Sequence, residues 1–189
     1  MDDSTQAGAQ PDDHPEPRSP GAAPAPSQAR GARVEIADPD SRLAPPALVW
    51  LREHAAMAAR ELAARTGAAG EARIRVVGDD EMRRVHAERS GIDTTTDVLT
   101  FDLAPDDDAL LDADVYVCID EATREGTERG IAPERELLLY TLHAMLHCVG
   151  HDDHDDDAFA RMHALEDEIL GAIGVGATFG VSPRGEGAR

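Results

Sequence analysis

Two histidines four residues apart are the part of this sequence best suited to chemistry. His143 and His147 lie in a segment of helical periodicity, so both imidazoles share one helix face, where a single metal ion can reach them. Val149 and Gly150 predict the end of that helix, because glycine readily adopts the left-handed conformation that terminates helices. The chain must then reverse and can fold back over the histidine face. Two helical ligands and one from the turn leave an open fourth position, which is typical of catalytic zinc sites.

The residues after the helix favour the metal interpretation over a structural one. A histidine pair at this spacing also occurs as a packed or hydrogen-bonded helix feature, and the acidic run 155–157 suits a solvated helix N-terminus. However, residues 151–154, with the sequence HDDH, offer further imidazole and carboxylate ligands of the kinds that zinc accepts. Cys148 points about 100° away from His147 around the helix, so we expect it to be a core residue.

Composition and charge limit the class of protein. The chain has 189 residues and a formal net charge of −20, with all its positive side chains arginine. This charge argues against a general binder of nucleic acids or anionic membranes, since phosphates would be repelled at long range. No signal peptide is visible, and no apolar run approaches the ~20 residues of a membrane span. Cys118 and Cys148 are expected to be free thiols in a reduced, cytoplasmic setting.

The chain is predicted to hold one folded domain between two disordered segments. Residues 1–32 and 175–189 are rich in small and polar residues and poor in branched apolar ones, so they cannot offset the entropy of ordering. Residues 33–174 carry the alternating and helical patterns of a globular fold. Their order is β-α-β-α-β-β-α-α-α. We predict an α/β (α+β) domain with one mixed sheet of about four strands and about five helices, and the metal site at the C-terminal end of the penultimate helix.

Three finer expectations concern individual elements. Residues 114–119 are apolar nearly throughout, which predicts a central strand covered on both faces. Asp120 is placed to cap the helix that follows that strand. Glu136 shares a helix face with the two histidines and could fix the tautomer of one imidazole as an outer partner.

Separated blocks of the sequence carry a resemblance to a known family. TDVLTF (96–101) matches a Thr-Asp-Val-Leu-Ser-Phe strand, and LDADVYV (111–117) a Leu-Gly-Asp-Ile-Val-Ile region. HAMLHCVGHDD (143–153) matches the motif His-Gly-x-Leu-His-Leu-x-Gly-Tyr-Asp-His. In order and intervening lengths the chain resembles the YbeY family of bacterial metal-dependent endoribonucleases, over roughly residues 34–174.

The resemblance implies one zinc ion per chain, held by His143, His147 and a third ligand. The family's third ligand is a histidine, and in strict register its position is Asp153, with His154 one residue later. Register favours Asp153, ligand type favours His154, and His151 is a third choice. The family also places an arginine near the metal.

In register that arginine corresponds to Ser90, so we assign its catalytic role to the adjacent Arg89. A basic groove for RNA would be formed by the arginines clustered in this part of the sequence, which are Arg73, Arg75, Arg83, Arg84 and Arg89.

The function that the resemblance implies is a single-strand-specific, zinc-dependent endoribonuclease. It would mature the 3′ end of 16S rRNA and act in ribosome quality control, with ribosomal RNA and the small subunit as partners. One alternative is a zinc metallopeptidase, but Ala144 occupies the position at which the His-Glu-x-x-His motif carries its general base. The other alternative is a non-catalytic metal-binding protein, in which a fourth ligand would close the site.

Overall fold

The computed structural model describes residues 31–107 and 109–176. The predicted disordered segments, 1–32 and 175–189, lie outside these ranges except at their inner ends. Ala32 is already the first residue of a strand and is buried, and Val175 packs against the core.

The elements follow the predicted order. The described ranges contain β1 (Ala32–Ala37), α1 (Pro45–Thr66), β2 (Ala69–Val77), α2 (Asp79–Ser90), β3 (Val98–Asp102), β4 (Leu110–Cys118), α3 (Ile119–Arg129), α4 (Pro133–Cys148) and α5 (Asp156–Ala172). The predicted α/β fold class is therefore confirmed, with four strands and five helices in these ranges. No helix among them is long and apolar enough to cross a lipid bilayer.

The strands form a mixed sheet in the order β1-β2-β4-β3. β1, β2 and β4 run parallel, whereas β3 pairs antiparallel with β4 and forms one edge. Alternate residues of β2 and β4 point to one face, where Ile74, Val76, Val115 and Val117 join a large apolar core. Helices α1 and α4 pack on this face.

Helix α4 is an internal helix, as its sequence predicts. Most of its circumference is apolar, and eleven of its residues are buried, Leu138, Leu142 and Met145 fully so. It packs against α1, α3, α5, β3 and β4. Packing on so many sides holds the helix in place. The side chains at its C-terminal end are therefore attached to a rigid backbone.

The other face of the sheet departs from the expectation for β4. Tyr116 and Cys118 pack with Met82 of α2, but Asp114, nearer the start of the strand, is exposed. Within the predicted stretch 114–119, this face is covered at Tyr116 and Cys118 and open at Asp114, because α2 covers only the carboxyl end of the strand. Near the start of the strand, Arg73 bridges Asp112 and Asp114 at 2.7 and 2.5 Å.

The predicted cap of α3 is also wrong. α3 begins at Ile119, one residue before Asp120, and has no side-chain cap. The Asp120 carboxylate accepts a hydrogen bond of 2.8 Å from the backbone N–H of Asp79 instead, at the start of α2. Arg124 of α3 in turn donates to the carboxylate of Asp79 at 2.8 Å and lowers its pKa to about 2. These contacts join the two helices side by side.

Candidate metal centre

The chain reversal after α4 is built by a glycine-centred helix end. Gly150 has φ +84°, a left-handed conformation that costs glycine little. The N–H of His151 donates to the carbonyl of Leu146 at 3.0 Å, and the N–H of Gly150 donates to that of His147 at 3.1 Å. This pair of bonds is the Schellman motif. It turns the chain back towards the histidine face of α4, as the sequence predicts.

The turn brings Asp153 next to the two helical histidines. The Nε2 atoms of His143 and His147 lie 3.1 Å apart, and each is 3.8 Å from a carboxylate oxygen of Asp153. Two nitrogens bound to one tetrahedral zinc ion at about 2.05 Å would be separated by about 3.3 Å. The three side chains therefore form a group that could hold one metal ion after a small inward shift of the carboxylate.

The other nitrogen of each imidazole is already occupied. The Nδ1–H of His143 donates to Oε1 of Glu166 at 2.9 Å, and that of His147 donates to the carbonyl oxygen of His151 at 3.0 Å. A carboxylate and a carbonyl can only accept, so both rings carry their proton on Nδ1 and direct a lone pair from Nε2 at the same point. Outer partners that fix the tautomer in this way are characteristic of metal-ligating histidines.

The electrostatics of the group match a cation. Burial alone would lower the pKa of His143, but the hydrogen bond and charge of Glu166, with the charge of Asp153, outweigh it and raise the pKa. Two Nε2 lone pairs facing each other at 3.1 Å repel unless a proton or a metal ion lies between them. The donor set of two neutral imidazoles and one carboxylate is one that zinc accepts. The residues therefore fit a divalent ion.

The alternative third ligands lie elsewhere. The side chain of His154 is 82% exposed and contacts Asp152 and Asp153 rather than the two helical histidines. The side chain of His151 lines a separate depression beside Arg65 and Leu165. The structure thus brings together His143, His147 and Asp153 and leaves His154 outside that group.

The carboxylate that fixes the tautomer of His143 is Glu166, whereas the sequence suggested Glu136 for this role. Glu166 is fully buried, and its two carboxylate oxygens accept from His143 Nδ1 at 2.9 Å and from His163 Nδ1 at 2.5 Å. Sequence reasoning missed both Glu166 and His163. A signal was nevertheless present, because Glu166 lies between Met162 and Ile169 on the buried stripe of α5, where an acidic residue requires a partner.

A cleft of about 610 Å³ opens beside the metal centre, between α3, α4, α5 and the segment before β3. His143 and Asp153 lie in its wall, together with His163 and Phe159 of α5. The remaining lining residues are mostly polar or acidic: Thr95, Thr96, Asp97, Glu121, Glu125, Arg129, Glu136, Leu139 and Tyr140. The cleft therefore carries negative charge along most of its length.

Glu136 lies in this cleft and is paired with a cation. Its side chain is fully buried, and Nη1 of Arg129 lies 3.2 Å from each of its two oxygens, with hydrogen-bond geometry only to Oε2. Burial raises the pKa of Glu136, and the charge of Arg129 opposes that rise. It therefore belongs to the wall of the cleft and not to the immediate surroundings of the two histidines.

The arginines proposed for an RNA groove do not line the cleft. Four of them are engaged by carboxylates: Arg73 by Asp112 and Asp114, Arg75 by Glu81, Arg83 by Asp93, and Arg84 by Glu88. Arg89 lies at the end of α2 with its guanidinium carbon 5.7 Å from the ring centroid of Phe101 in β3. It is thus beside the edge strand whose preceding residues line the cleft.

An α/β domain whose internal helix presents two imidazoles and a facing carboxylate beside a cleft has the side chains that a hydrolase could use to hold a metal ion. The family model described as Endoribonuclease YbeY matches residues 42–174. The chain belongs to this family. The resemblance seen in the sequence motifs is therefore confirmed.

Individual relatives agree with this assignment. The chain is 33% identical to the endoribonuclease YbeY of Carboxydothermus hydrogenoformans over 109 residues, which cover 58% of this chain and 76% of that protein. It is 35% identical to that of Chloroflexus aurantiacus over 115 residues, covering 56% and 74%. The solution structure of TM1509 from Thermotoga maritima shares the fold, with a TM-score of 0.50, 24% identity, and coverage of 75% of this chain and 90% of that one.

Proposed function

We propose that this chain is a zinc-dependent endoribonuclease that cleaves single-stranded RNA. The observation that carries the proposal is the convergence of His143 Nε2, His147 Nε2 and the Asp153 carboxylate at a cleft, in a chain that belongs to an endoribonuclease family. Its place would be the cytoplasm, where it would mature the 3′ end of 16S rRNA on the small ribosomal subunit and act in ribosome quality control. One zinc ion per chain suits the donor set.

A divalent ion held there would supply Lewis acidity, activating water near neutral pH and polarising a phosphoryl oxygen. The protein's part is to keep the ligands in place. Glu166 and the carbonyl of His151 hold the two imidazoles by Nδ1, so that only Nε2 faces the ion. Asp153 adds one negative charge and comes from the turn, which leaves the side towards the cleft open to an RNA phosphate.

The structure gives no support to the peptidase alternative. Ala144, at the position of the general base in the helical peptidase motif, is 1% exposed and cannot exchange protons.

The proposal is tested by replacing a ligand in the full chain. The zinc-loaded protein should cleave a single-stranded RNA oligonucleotide, and His147→Ala should lose at least about 100-fold of that rate, since losing even an outer partner of a ligand costs 10–100-fold. His54→Ala, a histidine of α1 stacked on Trp50, is the matched control. Circular dichroism checks that each variant keeps its fold.

Other outcomes of this assay would reject the proposal in distinct ways. Cleavage of casein but not of RNA would identify a peptidase. Stoichiometric zinc without cleavage of either would identify a non-catalytic metal protein. Undiminished RNA cleavage by His147→Ala would show that the reaction takes place without this centre.

A further inference from the structure

Two buried polar atoms in the cleft have no hydrogen-bond partner among the described residues. They are the hydroxyl of Tyr140 and Oε1 of Glu136, which has only the charge of Arg129 at 3.2 Å beside it, and their residues are 6% and 0% exposed. Both residues line the same cleft as His143 and lie one turn apart on α4. Buried polar groups are rarely left without a partner, because the lost solvation costs about 1–3 kcal/mol. Their position therefore indicates a ligand that supplies the missing hydrogen bonds.

The charge around these atoms limits the chemistry of that ligand. Asp97, Glu121 and Glu125 line the same cleft, and Arg129, 3.2 Å from Glu136, offsets only part of this negative charge. A phosphate group would be repelled from such a recess. A group that offers N–H donors and carries no negative charge would be attracted to it.

A second metal ion fits the recess poorly. The described residues contain two groups of metal-ligand atoms close enough to share an ion, and both include Asp153: one adds His143 and His147, the other Asp152 and His154. The carboxylates of the recess do not converge in this way. Separated acceptors suit a flat organic ligand with several donors better than a small ion.

The distance between the metal centre and Glu136 determines which part of a nucleotide can contact Glu136 and Tyr140. Glu136 precedes His143 by seven residues, which is about 10 Å along a helix. A ribose 2′-hydroxyl lies directly beside its phosphate. With the phosphate at the metal centre, this hydroxyl would not reach Glu136. The edge of the base lies at the far end of the nucleotide and can span this distance.

We propose that the Glu136 and Tyr140 recess binds the base of a guanosine next to the scissile phosphate; this rests on the proposed nuclease function. Guanine presents two adjacent N–H donors, N1–H and the 2-amino group, whereas adenine, cytosine and uracil present donors on a single nitrogen. The Glu136 carboxylate accepts from guanine, and the Tyr140 hydroxyl donates to O6. Leu139 and Phe159 provide apolar surface for the ring.

The test uses single-stranded oligoadenylates with one internal guanosine, adenosine, cytidine, uridine or inosine, cleaved by the zinc-loaded full chain. We expect kcat/KM at the guanosine site to exceed that at the adenosine site by at least tenfold. Inosine lacks only the 2-amino group and should lose much of that preference. A site built to pair a polar group discriminates strongly against an analogue without it.

Glu136→Gln keeps the size of the side chain and removes its charge, so the guanosine-to-adenosine ratio should fall by about tenfold or more. Tyr140→Phe should reduce the ratio to a smaller extent. Glu134→Gln, in the first turn of the same helix and outside the cleft, should leave the ratio as it is. The inosine comparison needs no protein variant, so it remains decisive if Glu136→Gln does not fold.

Failure of this proposal is distinguishable from failure of the nuclease function. Cleavage that is equal at all four bases, that prefers another base, or whose guanosine preference survives Glu136→Gln overturns the base-binding recess and leaves the nuclease assignment intact. Absence of cleavage of every oligonucleotide rejects both.

Discussion

A metal ion held by His143, His147 and Asp153 would meet a different ligand charge from the three-histidine set of the family motif that the chain resembles. Two neutral imidazoles and a carboxylate leave the complex with a divalent ion one unit less positive than three imidazoles would. A more negative ligand set lowers the power of a bound cation to polarise water and phosphate. The carboxylate would therefore reduce the Lewis acidity of the ion.

Replacing Asp153 should separate the two ligand choices that the sequence leaves open. We expect Asp153→Ala to lower bound zinc well below one ion per chain, because its oxygens lie 3.8 Å from both Nε2 atoms. His154→Ala should retain the wild-type zinc content, since its side chain is 82% exposed and outside the group. Elemental analysis after exhaustive dialysis measures this. Equal loss in both variants would mean that the turn rearranges around the ion.

Individual ligands were predictable to different degrees. The helical pair follows from a spacing of four residues, which any helix converts into one face. Asp153 follows only from register, because the turn fixes its direction through hydrogen bonds of Gly150 and His151. Glu166 belongs to α5, and its contact with His143 is tertiary. No local pattern encodes how two helices dock, so this partner had to be seen in the structure.

At the scale of elements, the fold depends on where helices end and how closely they approach. Gly126 lies within α3, and a Cβ added there would be 2.6 Å from the backbone carbonyl oxygen of Ile131. That carbonyl belongs to the connection from α3 to α4. Helix α4 carries His143 and His147. Gly171 in α5 has open space at the same position.

Replacing the two glycines by alanine should change the free energy of unfolding in opposite directions. Gly126→Ala should destabilise the protein by about 1–3 kcal/mol, because the backbone at Ile131 must move. Gly171→Ala should stabilise it by up to about 1 kcal/mol, since alanine is the better helix former. Urea unfolding followed by circular dichroism gives both values. Stabilisation by Gly126→Ala would show that the close approach of α3 and the connection is not maintained in solution.

The element order was predictable because hydrophobic periodicity and glycine or proline punctuation are local. Pro45 and Pro133 begin α1 and α4, and three helices end at a glycine in the left-handed conformation: Gly67, Gly91 and Gly130. Asp120 shows the limit of such reasoning. Its carboxylate accepts a hydrogen bond from the first residue of the neighbouring helix α2. This contact forms because the sheet places the starts of α2 and α3 side by side.

At the scale of the whole molecule, the proposed function requires a chain with a net charge of −20 to approach a polyanion. The cleft itself is acidic, and four of the five arginines expected to attract RNA are bound to carboxylates. A guanidinium already paired with a carboxylate contributes little further attraction, because the phosphate has to compete for it. Arg89, which lies over the ring of Phe101, is therefore the strongest candidate for a phosphate contact.

Arg89→Ala should weaken binding to a single-stranded oligonucleotide and reduce the slope of log affinity against log salt by about 0.7, the value for one phosphate contact on a single strand. Arg83→Ala should change the slope less, since Arg83 is paired with Asp93 at 3.0 Å. Arg33 is exposed on β1, the sheet edge opposite β3, so Arg33→Ala is the matched control. Fluorescence anisotropy between 25 and 200 mM salt measures all three.

An unchanged slope for Arg89→Ala, with the fold intact, would exclude Arg89 as a phosphate contact. Its aromatic contact would then be purely structural, and other groups would hold the phosphates. A larger change for Arg83→Ala than for Arg89→Ala would instead show that RNA displaces Asp93. In that case, arginines that are paired with carboxylates in the free protein would exchange those partners for RNA phosphates on binding.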